Sequence, residues 1–158
     1  EPSRLCDLLA DCLHFLHESG FSDCPVKDYT AEYLQRAEEN YQKEMFDPTL
    51  LPEKYSFSTA EQAWSAAREG KALLRADTLI HGDACLPNFI CQDGTFSTFI
   101  DLGQAGVGDK HMDLFWTIWS LEFNLQTDRY TDCFLDLYGR ESLDWDTLRV
   151  VAALEYLS

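Results

Sequence analysis

Apolar positions in this chain repeat first with a helical period, then briefly with a strand-like one, then with a helical period again. From Leu5 to Leu16 they fall at Leu5, Leu9, Cys12, Leu13 and Leu16, one face of a helix, and Gly20 closes it. Ser22-Asp23-Cys24-Pro25 reads as a turn. A second helix is predicted from about Asp28 to Met45. It is highly charged, and its apolar stripe of Ala31, Tyr33, Leu34, Ala37 and Tyr41 is thin, so it belongs at the surface. Phe46 to Phe57 contains Pro48 and Pro52 and reads as a loop. Ser58-Thr59-Ala60-Glu61 has the form of a capping box, with Glu61 three residues after Ser58. The helix it opens carries Ala60, Ala63, Trp64 and Ala67 on one face until Gly70 interrupts or ends it.

The pattern then shortens. Thr78 to Ile80, Phe89 to Cys91 and Phe96 to Ile100 are predicted strands. Asp93-Gly94 joins the last two as a hairpin, because both residues tolerate the positive φ that such turns need. From Asp109 the chain is helical again. Asp113 to Leu125 is almost wholly apolar, as in a helix buried on most sides. Two more helices are predicted, around Arg129 to Tyr138 and Asp146 to Leu157, with Gly139 between them. The sum is an α+β fold, mainly helical, holding a small β hairpin.

A length of 158 residues suits one domain with a sizeable core, and 46% hydrophobic content argues against disorder. No apolar run is long enough to span a bilayer, and the opening residues carry several acids and a single Arg, unlike a signal peptide. A cytoplasmic location is the expectation. None of the six cysteines (Cys6, Cys12, Cys24, Cys85, Cys91, Cys133) forms a C-x-x-C pair, so they read as reduced, buried thiols rather than zinc ligands. The formal net charge is −16, from 28 acids against 12 bases. That charge repels phosphate backbones and disfavours nucleic-acid binding, while it attracts a polycationic ligand.

The candidate chemistry lies between His81 and Asp113. His81-Gly82-Asp83-Ala84-Cys85-Leu86-Pro87-Asn88 keeps the spacing His-x-Asp-x-x-x-x-Asn of a kinase catalytic loop, and Asp101-Leu102-Gly103 follows beyond the predicted hairpin. Phosphoryl transfer needs one carboxylate to orient and deprotonate the attacking hydroxyl. It also needs hard oxygen ligands to hold Mg²⁺ against nucleotide phosphates. Asp83 suits the first task, and Asn88 with Asp101 the second. Any one of them could be an ordinary turn or cap residue; together they fit one mechanism. His81 reads as a structural brace of the loop. His14, His17 and His111 have no partner pattern and read as solvated or packed.

On these motifs the chain resembles the C-terminal lobe of the aminoglycoside 3'-phosphotransferases. The likeness extends to Gly106, Asp109 and Asp113 after the Asp-Leu-Gly, to the Ser-Asp-Cys-Pro turn, to Tyr138-Gly139, and to the final Leu154-Glu155-Tyr156-Leu157. The resemblance implies the C-terminal lobe of a protein-kinase-like fold. Residues 1–76 and 109–158 would be helical substrate-binding segments around a catalytic core at 78–113. It implies ATP-dependent phosphorylation of an aminoglycoside 3'-hydroxyl, conferring resistance. Asp83 would be the catalytic base, also touching substrate, and Asn88 and Asp101 the Mg²⁺ ligands. One of Asp109 and Asp113 would brace the catalytic loop, and Glu53, Glu122 and Glu155 would meet the cationic substrate. Gln104, Trp119, Phe123 and Ser158 depart from the family pattern, which puts the drug spectrum in question. No Gly-rich loop and no Val-Ala-x-Lys strand occur. The expectation is therefore that the N-terminal nucleotide lobe is missing and the chain alone is inactive. Two other readings are a related kinase for a macrolide, choline or a sugar amine, and a non-catalytic acidic ligand-binding module derived from a kinase.

Overall fold

The computed structural model describes residues 2–158 except 48, 50 and 52; the predicted loop prolines Pro48 and Pro52 lie outside the described residues. Six α-helices and four short strands follow one another among them. Helices α1 (Pro2–His17), α2 (Tyr29–Lys43) and α3 (Ala60–Gly70) come first. Strands β1 (Thr78–Ile80), β2 (Phe89–Gln92), β3 (Thr95–Phe99) and β4 (Gly106–Gly108) form the middle. Helices α4 (Lys110–Leu125), α5 (Arg129–Tyr138) and α6 (Trp145–Tyr156) close the chain.

Local chemistry sets most of these boundaries. Asp28 caps α2 by accepting the Ala31 N–H, and the helix stops where Glu44 turns left-handed. The cap of α3 is Thr59, not Ser58: its hydroxyl accepts the Gln62 N–H. The cap is thus displaced by one residue from the expected box, since Thr59 stands three residues before Gln62 as Ser58 stands before Glu61. Asp93 and Gly94 both hold positive φ, at 53° and 78°, and turn β2 into β3. A bulge lies between Ile90 and Cys91 on that hairpin.

Strand β4 carries no sequence signal. It is Gly-Val-Gly, yet it pairs antiparallel with β1, Thr78 opposite Gly108 and Ile80 opposite Gly106. The glycines are there for close approach: a Cβ at Gly106 would come within 2.7 Å of Val26, and one at Gly108 within 2.6 Å of Ile80. This pair of strands carries the chain into both ends of the candidate site.

The core lies among the helices. α1 packs on α5, α3 on α6, and α4 sits between them, touching α1, α5, α6 and β1. Leu9, Leu13, Phe115, Leu121, Phe134, Val151 and Leu154 are wholly enclosed. Helix α2 is the surface helix its thin stripe predicts, burying Tyr29, Thr30, Tyr33 and Ala37. Helix α4 departs from expectation on one side. Met112, Leu114, Phe115, Ile118 and Leu121 are buried, but Trp116 and Trp119 are half-buried and Phe123 is 58% exposed. Cysteine burial is also partial: Cys6 and Cys12 are buried, Cys24, Cys85 and Cys133 half-buried, and Cys91, on β2, exposed. No helix among the described residues is long and apolar enough to cross a membrane.

Candidate active site

The segment from His81 to Asn88 leaves β1 and is held by side chains from one face of α4. Asp113 is fully buried and accepts the backbone N–H of His81 at 2.8 Å and of Gly82 at 2.7 Å. Four residues on, Thr117 donates to the Ala84 carbonyl at 3.0 Å. Three further on, Ser120 accepts the Leu86 N–H at 2.8 Å. Positions i, i+4 and i+7 share a helix face, so three polar residues inside an apolar helix grip successive residues of the loop. Asp113 has a third partner: His17 on α1 reaches its Oδ2 from Nε2 at 3.0 Å, and Tyr138 on α5 meets His17 Nδ1 at 2.7 Å. Asp109 serves another segment. It caps α4 through the His111 N–H, pairs with His111 Nδ1 at 2.7 Å and accepts the Arg75 N–H at 2.7 Å. Burial alone would raise its carboxyl pKa, but the hydrogen bonds from His111 outweigh that and hold it below the ordinary value.

The loop is tied to the strand end that carries Asp101. His81 Nε2 donates to the Ile100 carbonyl at 2.8 Å, and its Nδ1 faces the Asp83 N–H at 3.3 Å, which fixes the ring in one tautomer. Ile100 N–H donates to the Asn88 carbonyl at 3.1 Å. Gly82 has φ +82°, and any Cβ there would strike the Gln104 carbonyl. Two loops far apart in sequence therefore meet at a glycine.

This framework brings Asp83, Asn88 and Asp101 to one end of the hairpin. Asn88 is buried and turns its amide N–H groups to the Asp83 carbonyl at 2.8 Å and to Asp83 Oδ2 at 3.1 Å. That leaves the Asn88 amide oxygen facing away from the carboxylate. Asp83 is half-buried; Asp101 is exposed, in a left-handed conformation with φ 59° and ψ 55°. An oxygen-only pair of one amide and one carboxylate has the donor chemistry of a partial Mg²⁺ site, completed by phosphate and water. Among the described residues no group of three or more His, Cys, Asp or Glu is placed to hold a metal.

A cleft of about 400 Å³ is lined by Tyr33, Arg36, Leu51, Gln104, Trp116, Glu155 and Ser158; Gln104, whose carbonyl lies against Gly82, links it to the loop. The Glu155 carboxylate accepts Trp116 Nε1–H at 2.9 Å. Its pKa is raised from 4.5 to about 7, chiefly by desolvation, against the pull of hydrogen bonds from Tyr33 and Trp116 and the charge of Arg36; the charge of Asp83 adds to the rise. The departures from the family pattern are built into this wall. Gln104 accepts from the Tyr29 hydroxyl at 2.7 Å, and Ser158 reaches Tyr33 at 3.0 Å. Glu122 is not free: Lys54 reaches it at 2.6 Å and Thr131 at 2.8 Å. Glu53 is exposed on the short turn Glu53–Tyr55. A second, mainly apolar cavity of about 350 Å³ lies between Lys54, Tyr55, Ile118 and Trp145; Asp83, Asn88 and Asp101 line neither of the two.

Sequence reading missed Thr117, Ser120 and His17. The first two were signalled by polar residues at helical spacing from Asp113 in an apolar run. His17 gave no signal, because its partners lie on two other helices. The histidines read as unpartnered are all packed, His14 against the Tyr138 ring at 4.7 Å.

Comparison with known proteins bears on the family and the fold. Residues 1–151 match the model of the phosphotransferase enzyme family. A probable aminoglycoside 3'-phosphotransferase of Lactococcus lactis is 47% identical over 98% of this chain, and an aminoglycoside 3'-phosphotransferase of Niallia circulans 34% identical over 94%. The chain spans 58% and 56% of their lengths, a little under three-fifths. An aminoglycoside phosphotransferase of Streptomyces rimosus superposes with a TM-score of 0.80 at 26% identity, covering 96% of this chain and 60% of its own. The mainly helical, kinase-like C-terminal-lobe fold expected from the sequence is the one shared with these neighbours. A family match over nearly the whole chain, with the fold and loop geometry to accompany it, means that the chain belongs to the phosphotransferase enzyme family.

Proposed function

We propose that this chain carries the hydroxyl-activating and metal-holding part of an ATP-dependent aminoglycoside 3'-phosphotransferase that confers resistance to its substrate. The observation that carries this reading is the Asn88 bridge to Asp83 within a loop fixed by α4. Asn88 holds Asp83 Oδ2, which leaves Oδ1 to orient the attacking 3'-hydroxyl and accept its proton. The Asn88 amide oxygen and the Asp101 carboxylate would hold Mg²⁺. When bound, the ion draws negative charge from the nucleotide phosphates. Asp113, His81 and Gly82 keep the base and these ligands in register.

Support for the substrate comes from the relatives in Lactococcus lactis and Niallia circulans, a probable and an assigned aminoglycoside 3'-phosphotransferase, and from the Streptomyces rimosus enzyme, captured in complex with ADP and streptomycin. The charge of −16 suits a polycation. Glu155 and exposed Glu53 are its proposed contacts, with Glu122 available once Lys54 moves aside. We place residues 1–76 and 109–158 in substrate binding around the core at 78–113, and the elements that cover ATP outside these 158 residues. Six free thiols and an ATP-dependent reaction fit a cytoplasmic setting.

Calorimetric titration of the chain with kanamycin and with neomycin at low salt tests the reading. Binding of at least one is expected, with little kanamycin-dependent ATP turnover by the chain alone. Absence of binding to both at millimolar ligand removes the assignment.

A further inference from the structure

Helix α4 presents a second face beside the one that grips the catalytic loop. Trp116, Trp119 and Phe123 form a continuous aromatic ledge. The Trp116 and Trp119 rings meet edge to face at 5.4 Å, and the Trp119 and Phe123 rings lie parallel, 7° apart in plane and 4.9 Å between centres. The inner end is anchored in the cleft, where Trp116 donates to Glu155. At the outer end Phe123 is 58% exposed. Solvating so large a ring forfeits the benefit of burial. The ledge has a further cost at Trp119, whose indole N–H is buried with no acceptor among the described residues. The stack is thus held in an orientation that neither burial nor hydrogen bonding favours.

We infer that this ledge is a second substrate contact: one protonated amino-sugar ring lies against the Phe123 face while another ring presents its hydroxyl to Asp83. The ledge is continuous with the cleft and runs outward from a carboxylate. Its aromatic faces are electron-rich, and an ammonium group over such a face is attracted by the ring quadrupole. The surrounding protein carries a net charge of −16, so a cation is drawn to the region before contact. The occupant is therefore cationic and carries flat apolar surface, which a protonated amino sugar does and a small inorganic cation does not. This inference rests on the aminoglycoside reading and makes it specific to a chain with rings at 119 and 123. Here π-face contact contributes selectivity that does not depend on paired charges, and it is less weakened by salt than carboxylate contacts at the surface.

The test is calorimetric titration of the chain with kanamycin and with neomycin, for wild type and for Phe123→Ala, Phe123→Leu and Phe123→Trp. Position 123 is exposed, so these variants keep the fold, checked by circular dichroism. The expected result is a dissociation constant weakened about threefold or more in the Ala and Leu variants, the scale of an exposed cation–π contact, with the Trp variant close to wild type. If wild type binds and Ala and Leu bind as well as it does, the ledge inference fails and the functional reading stands. Equal binding by Leu and Trp variants reduces the ledge to a greasy surface and also overturns it. If wild type binds neither drug, the functional reading falls, and the ledge inference with it.

Discussion

Replacing Asp113 probes the framework of the site without touching the proposed chemistry. Its carboxylate is wholly buried and accepts three hydrogen bonds: two from consecutive backbone amides, His81 and Gly82, at 2.8 and 2.7 Å, and one from His17 at 3.0 Å. Asp113→Ala strands both amides and the imidazole in a space too tight for ready hydration. Each stranded donor costs about 1–3 kcal/mol, so a loss of about 3–5 kcal/mol is expected, a large part of the roughly 5–15 kcal/mol that holds a domain together. Asp113→Asn keeps the volume and one acceptor but turns an NH₂ group toward a backbone N–H, and a loss of about 1.5–3 kcal/mol follows. Thr117→Val removes a single bond to the Ala84 carbonyl, and about 1 kcal/mol is expected. Urea unfolding of the three variants, followed by tryptophan fluorescence and circular dichroism, measures the series. A loss under about 1 kcal/mol for Asp113→Ala, or an Asn variant as stable as wild type, would refute the account of the loop's attachment.

Two further substitutions follow the same reasoning. Gly82→Ala forces a left-handed residue against the Gln104 carbonyl and should cost about 1–3 kcal/mol or more, whereas Gly20→Ala, with nothing within 4 Å, should be nearly neutral in the same urea assay; equal effects would contradict the close approach of the two loops. Glu155 has its pKa raised from 4.5 to about 7, so the folded state binds its proton more tightly than the unfolded state. Stability contributed by the protonated form is present below about 4.5 and is lost as pH rises through about 7. Glu155→Gln should remove that slope and gain on wild type by up to ~2–3 kcal/mol at pH 8, read from thermal unfolding across pH; parallel profiles would show that the carboxyl is not desolvated.

Local rules made the helices and the hairpin legible. Asp93-Gly94 specified its turn because only a few residue types accept positive φ at both positions, and the apolar period over Leu114 to Phe123 identified a central helix. Strand β4 was not legible, since Gly-Val-Gly has no strand propensity and pairs only because β1 and Val26 press close. At the candidate site, the spacing of Asp83, Asn88 and Asp101 was visible along the chain as a kinase-loop pattern, and the fold brings the three to one end of the hairpin. Their support was not visible. His17 acts on Asp113 from a helix almost a hundred residues away, and no local pattern encodes that meeting. The Lys54 contact to Glu122 escaped for the same reason: it joins a turn to the far end of α4 and depends on how the two pack. Aromatic residues at 119 and 123 were visible as departures from the family pattern, but their parallel stacking and outward face emerge only from the folded helix.

The central claim is that Asp83 activates the substrate hydroxyl. Its most direct test is kanamycin-dependent transfer of phosphate from ATP by a protein that joins this chain to the proposed ATP-covering elements, beside its Asp83→Asn variant, with Mg²⁺ present and folding checked by circular dichroism. The account predicts turnover in the parent and a fall of at least ~10²-fold in kcat in the variant, the scale of losing a positioned general base, with drug binding retained. A folded variant that turns over at the parent's rate would contradict it.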